Sequence, residues 1–160
     1  MQLASGDRRP LDEECPDRRL TISIDLPAGP ALIQGDENAL RSILNNLLDN
    51  ARKFTRPGGH ITVGVSRKLD RVSLSVTDDG IGISQADLPH IFERFYRVRQ
   101  TANDTLGSGL GLAIVARLVD LMHGSISVSS ELGQGTTVTI EYPASPVAAE
   151  TLLQHTTSAR

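Results

Sequence analysis

The chain lacks tryptophan altogether, has a single cysteine, Cys15, and counts only 3% aromatic residues among its 160. One thiol cannot close an internal disulfide, so cross-links do not hold this fold, and a reducing compartment is the easier setting. With so few rings the core falls to Val, Ile and Leu, which suits a sheet covered by helices. No apolar run is long enough to span a bilayer, and the opening "MQLASGDRRP" lacks the apolar centre of a signal peptide. A cytoplasmic setting without membrane contact of its own is therefore expected, any tether coming from a partner or a preceding segment. Positive charge is also scarce: 16 Lys and Arg against 19 Asp and Glu give a net charge of −3 and an isoelectric point near 5.8. That balance argues against a general binder of nucleic-acid backbone. What remains, 39% hydrophobic and 22% charged residues, is the composition of one ordinary domain with one core.

Residues 1–18 are charged and punctuated by Pro, and read as a leader with little structure of its own. The alternation in "LTISIDLP" then predicts a half-buried strand from Leu20, with "ALIQ" after Pro30 as a short partner. Asp36 can cap a helix in which apolar residues recur at Leu40, Ile43, Leu44, Leu47, Leu48, Ala51 and Phe54. "HITVGVSRK" and "RVSLSVTDD" predict an antiparallel hairpin, "SQADLPHIFERFY" a short helical piece capped by Ser84, and residues 97–108 a mobile polar lid. A second helix closes on Gly124, and "SISVSSE" and "TTVTIEYP" form another strand pair around "LGQG". The tail from 144 to 160 reads as frayed. This order predicts an α+β two-layer sandwich: a mixed sheet with helices on one face, occupying residues 19–143.

Four clusters carry possible chemistry. Asn46, Asn50 and Lys53 share one helix face beside the Leu stripe, where amide oxygens can ligate a hard cation such as Mg²⁺ and Lys can meet a phosphate. A solvated polar rim is the plainer alternative. "VTDDGIGI" ends a strand in Asp78 and Asp79 and turns through Gly80 and Gly82, which suits reading of an exocyclic amine by a carboxylate, or an ordinary turn. "LGSGLGLAIV" spaces its glycines as GxGxG after a polar loop, so it fails the dinucleotide fingerprint in both spacing and preceding strand. It remains a loop feeding a helix N-terminus, where free N–H groups favour phosphate. "GQGTT" is the fourth.

In this order the clusters, with the aromatic "FERFYR" between the second and third, resemble the catalytic ATP-binding domain of sensor histidine kinases, within the wider family of gyrase, the Hsp90 chaperones and MutL. The resemblance runs from about Gly35 to Pro143 and covers that family's N, G1, F, G2 and G3 boxes. It implies the Bergerat-type ATP-binding fold, with ATP and Mg²⁺ as cofactors. By similarity, Asn50 holds Mg²⁺ with Asn46 near the metal, Lys53 reaches a phosphate, and Phe54 lies against the adenine. Asp78 accepts from the adenine amino group, Gly80 and Gly82 let the ring approach, and Ile83 helps to wall the pocket. Phe92 and Phe95 anchor the lid, and Arg97 contacts the γ-phosphate. Gly107, Gly109 and Gly111 form the lid and helix start, where Leu110 and Leu112 add backbone N–H groups and packing. Thr136 sits under the adenine through water.

Hydrolysing members of the family carry a Glu general base one turn before the metal-ligating Asn; here Asn46 stands there, and an amide cannot take a proton from water. Asp49 points to another helix face, as a solvated residue or a weaker base. The resemblance thus implies transfer of the γ-phosphate to an outside histidine on a dimerising hairpin, and indirectly to a response regulator. None of His60, His90, His123 and His155 has the acidic residue and Pro that follow the family's acceptor. The acceptor is expected on another part of a longer kinase or on another chain, the tail leaning toward a split kinase. The serine kinase and anti-sigma-factor group, and a non-catalytic ATP-responsive module, are the other readings.

Overall fold

A computed structural model describes residues 10–11, 19–98 and 108–145. The chain order is β1 (Pro10–Leu11), β2 (Thr21–Asp25), α1 (Glu37–Phe54), β3 (His60–Arg67), β4 (Arg71–Asp78), a 3₁₀ turn (Leu88–His90), α2 (Gly111–Leu121), β5 (Ser125–Glu131) and β6 (Gly135–Pro143). The strands form one sheet in the order β1-β2-β3-β4-β6-β5. Only β2 and β3 run parallel, α1 making the crossover between them; every other pair is antiparallel. The sheet is therefore mixed, as its alternating runs predict, and both helices cover the same face.

Helix α1 forms because its cap and its stripe agree. The Asp36 carboxylate accepts from the Ala39 N–H at 2.8 Å, and Leu40, Ile43, Leu47 and Ala51 bury along one side. Thr55 ends the helix, its N–H and hydroxyl both donating to the Ala51 carbonyl. Opposite lies a sheet face built by alternation: Val72, Leu74 and Val76 of β4 stand beside Val138, Ile140 and Tyr142 of β6, and Val65 and Ile61 of β3 complete the row set. Val115 and Val119 of α2 close the core, which is aliphatic apart from Tyr142 and Met122. Burial pushes the Tyr142 hydroxyl up to about 12.

The other face of the sheet is rich in hydroxyls. Cross-strand register aligns Ser23, Thr62, Thr77, Thr137 and Ser129 in one row across five strands. Ser23 and Thr62 hydroxyls lie 3.0 Å apart, as do those of Thr77 and Thr137.

Three expectations need correction. "ALIQ" does not pair with β2; instead Ile33 bridges Ala144 near the far end of the chain. The leader contributes a two-residue strand, Pro10 and Leu11 pairing with Ser23 and Ile22. The helical piece is a single 3₁₀ turn with Asp87 at its start and no side-chain cap, Ser84 serving the turn before it through the Asp87 N–H at 3.2 Å. The remaining leader, residues 99–107 of the lid with Gly107, the tail from 146 and His155 lie outside the described residues.

Candidate active site

Register decides which residues face the helices. Because Val72, Leu74 and Val76 point to the core, period two sends Asp78 to the same side, and its partner across the ladder is Thr136. Between this strand end, α1 and the start of α2 opens a cavity of about 330 Å³, within the roughly 300–1,000 Å³ of small-molecule sites. Its walls include Asn46, Asn50, Lys53, Phe54, Asp78, Gly82, Ile83, Arg97, Gly109, Leu110, Gly111, Leu112 and Thr136. Residues from four sequence clusters thus meet around one space.

One end of the cavity is acidic and polar. The Asp78 carboxylate accepts from the Gly80 N–H at 2.9 Å and from the Thr136 backbone. Burial nonetheless raises its pKa above the ordinary value, and the neighbouring Asp79 adds to the rise. Asp79 itself faces the other way: although slight burial pushes it up, the His60 N–H at 2.8 Å and the His60 ring at 3.1 Å leave it lowered.

The opposite end is where α1 meets α2. Asn46 Nδ2 donates back to the Ser42 carbonyl at 2.8 Å, which turns its Oδ1 away from its own helix. A Cβ added at Gly111 would stand 3.2 Å from Asn46 Oδ1, 3.8 Å from Asn50 Nδ2 and 3.9 Å from Asn50 Oδ1, so both side-chain amides reach the first residue of α2. Leu110, at the N-cap, has no side-chain cap bond, and Leu110, Gly111 and Leu112 line the cavity, so the positive dipole end of the helix lies at it. Neutral hard oxygens beside an anion-favouring helix end are the donor set of a Mg²⁺–phosphate group, in which the phosphates supply the charge. Among the described residues no cluster of three His, Cys, Asp or Glu could hold a metal by itself.

The glycines of the first turn are also required by the protein's own packing. A Cβ on Gly80 would meet the Phe54 carbonyl at 2.3 Å, and one on Gly82, at φ +69°, the Glu131 carbonyl at 2.0 Å. Space on the Cβ side of each is taken by the protein's own backbone, and of the two only Gly82 lines the cavity. The Phe95 ring, expected to anchor the lid, is not buried. It is 68% exposed with the Arg94 guanidinium 5.9 Å from its centre, while its N–H, at φ +64°, donates to the Gly109 carbonyl at 2.9 Å. Asp49, exposed, lies at the cavity rim. Reading the sequence missed Tyr96, which lines the cavity and donates to Asp87 Oδ1 at 2.6 Å, and the walls Ile81, Ile91, Val128 and Val138.

A family model described as histidine kinase-, DNA gyrase B- and HSP90-like ATPase matches residues 35–146. The chain belongs to this family. Among its relatives is the sensor histidine kinase RppB of Synechocystis, 40% identical over 126 residues, which are 78% of this chain and 28% of that protein. The sensor histidine kinase TrcS of Mycobacterium tuberculosis is 42% identical over 118 residues, 71% of this chain and 23% of that protein. The chain thus spans about a quarter of the length of these relatives. Of solved structures, the mycobacterial sensor histidine kinase MprB matches with TM-score 0.68 and 32% identity, over 79% of this chain and 83% of that one. Full-length ShkA in complex with AMPPNP matches with TM-score 0.70 and 33% identity, over 89% of this chain and 33% of that one. Fold and sequence together make this a histidine-kinase-type ATP-binding catalytic domain. None of its described helices is long and apolar enough to cross a membrane.

Proposed function

We propose that residues 19–143 bind Mg-ATP and present its γ-phosphate to a histidine on a separate phosphoacceptor and dimerisation domain, in two-component signalling that ends on a response regulator. The observation that carries this reading is the cavity's two poles: Asp78 and Thr136 at one end, the side-chain amides of Asn46 and Asn50 beside the start of α2 at the other. A base fits the first pole and a phosphate chain the second.

Asp78 accepts from the base amino group, and Ile83 and Phe54 exclude water around the ring. Asn50, with Asn46, would hold Mg²⁺, which when bound neutralises phosphate charge. The helix-end N–H groups of Gly111 and Leu112, with Lys53 and Arg97, orient the phosphates for in-line attack. No carboxylate occupies the Asn46 position to activate water, which favours transfer over hydrolysis. That the relatives named above are sensor histidine kinases favours a histidine over a serine acceptor.

The test is calorimetry of ATP binding with and without Mg²⁺, followed by addition of a phosphoacceptor hairpin and radiolabelled ATP. Binding that depends on Mg²⁺ in wild type but not in Asn50→Ala, with label appearing on the added hairpin and on no histidine of this chain, is the expected result. Absence of ATP binding would sink the proposal.

A further inference from the structure

Ser130, in β5, is buried behind Thr136 and is not part of the cavity wall. Its hydroxyl oxygen has three neighbours: the Ile83 N–H at 2.8 Å, the Gly135 carbonyl at 2.8 Å and the Thr136 hydroxyl at 2.9 Å. A hydroxyl offers one hydrogen and two lone pairs. The Gly135 carbonyl can only accept, so the Ser130 hydrogen goes there. The Ile83 amide can only donate, so it takes one lone pair. The second lone pair is left for Thr136, whose hydroxyl must then be the donor.

We infer that Ser130 fixes the hydrogen-bond polarity of Thr136: the single Thr136 hydroxyl hydrogen turns back into the protein, and only lone pairs face the cavity. Ser130 is a positioning residue, acting through Thr136. This inference rests on the nucleotide reading above and adds to it the residue that sets base specificity. Thr136 lies directly across the ladder from Asp78, whose carboxylate is also an acceptor and is already held by the Gly80 N–H. Both polar groups at this pole therefore read donors. An amino group at the purine 6-position has two hydrogens to give, whereas a purine bare at that position leaves those lone pairs without a donor. The polarity survives an intervening water: one that donates its two hydrogens to Asp78 and Thr136 keeps only lone pairs for the base.

The experiment compares dissociation constants for ATP and purine riboside triphosphate, which has hydrogen in place of the 6-amino group and keeps the same N1 acceptor, in wild type, Ser130→Ala, Thr136→Val and the double variant. Ser130→Ala frees the Thr136 hydrogen to turn outward, so the preference for ATP is expected to fall about tenfold, the scale of one hydrogen bond. In the Thr136→Val background the same change is expected to shift the ratio less than about twofold, because no hydroxyl remains to be released. Ser130→Thr, which keeps a hydroxyl, is expected to retain the wild-type ratio. A structural role alone would weaken both ligands together; an unchanged ratio in folded Ser130→Ala overturns the inference. Should that variant not fold, Thr136→Val alone decides: loss confined to ATP supports it, equal loss of both ligands overturns it. Failure of wild type to bind either nucleotide overturns the reading of the pocket itself, and this assignment with it.

Discussion

Replacing Asp78 by Asn preserves the shape of the side chain but turns one acceptor into a donor, so ATP affinity is expected to fall roughly 10–100-fold, the range of a hydrogen bond to a charged group. Calorimetry reads the loss directly. Stability should move the other way. The Asp78 carboxyl is raised in the folded state, mainly by burial, so its contribution is fully present below the unfolded value of 3.8 and is lost as pH rises through the folded one. At neutral pH the buried charge opposes folding, and Asp78→Asn is expected to be at least as resistant to urea as wild type, with the gap closing toward pH 4. Asp79 has the opposite sign: lowered by His60, it stabilises above its unfolded value of 3.8, and that support is lost as pH falls through the folded one. Urea titrations of Asp79→Asn should show a deficit at neutral pH that disappears in acid. Two adjacent carboxyls thus separate into one that faces the cavity and one that braces the strand end, and the sequence "DD" showed only that both were there. The division follows from strand alternation, which was legible, and from the position of His60 nineteen residues earlier, which was not.

At the scale of elements, the glycine turns give the sharpest contrast. Gly58 sits at φ +82° with nothing within 4 Å of an added Cβ, so Gly58→Ala should cost only the left-handed conformation, about 1–2 kcal/mol in denaturant unfolding. Gly82 has a similar φ of +69°, but its Cβ would strike the Glu131 carbonyl, and its Ala variant should be clearly less stable than the Gly58 one. Equal losses would mean that the first glycine turn is not pinned to the β5–β6 turn. Capping of α1 is simpler: Asp36→Ala removes the bond to the Ala39 N–H and should cost about 1 kcal/mol. Such local features were readable because cap, stripe and alternation are written within a few residues. The pairing of Pro10 and Leu11 with β2 was not, since two residues have no period, and neither was the Ile33–Ala144 bridge, which joins chain segments far apart in sequence.

For the whole molecule, nucleotide binding and stability are linked. With Mg-ATP at about a hundred times its dissociation constant, the folded state gains roughly 2.7 kcal/mol. For a domain of this size that raises Tm by roughly 5–11 °C, which thermal unfolding with and without nucleotide checks. The candidate site was legible where its residues stand in ordered clusters of sequence. Tyr96 escaped because its role depends on where the turn from residue 84 folds, and Ser130 because only register brings it behind Thr136. The two sides of the sheet differ in a way that has a practical use. Helices and cavity occupy one face, while Ser127 lies exposed on the hydroxyl face, in register with Thr139 and Ser75. With Cys15 replaced by Ser, a cysteine engineered at position 127 would be the chain's single thiol, and a fluorophore attached there would stand a sheet's thickness from the nucleotide. The domain therefore offers a mounting point for an optical reporter, on the face of the sheet opposite the cavity.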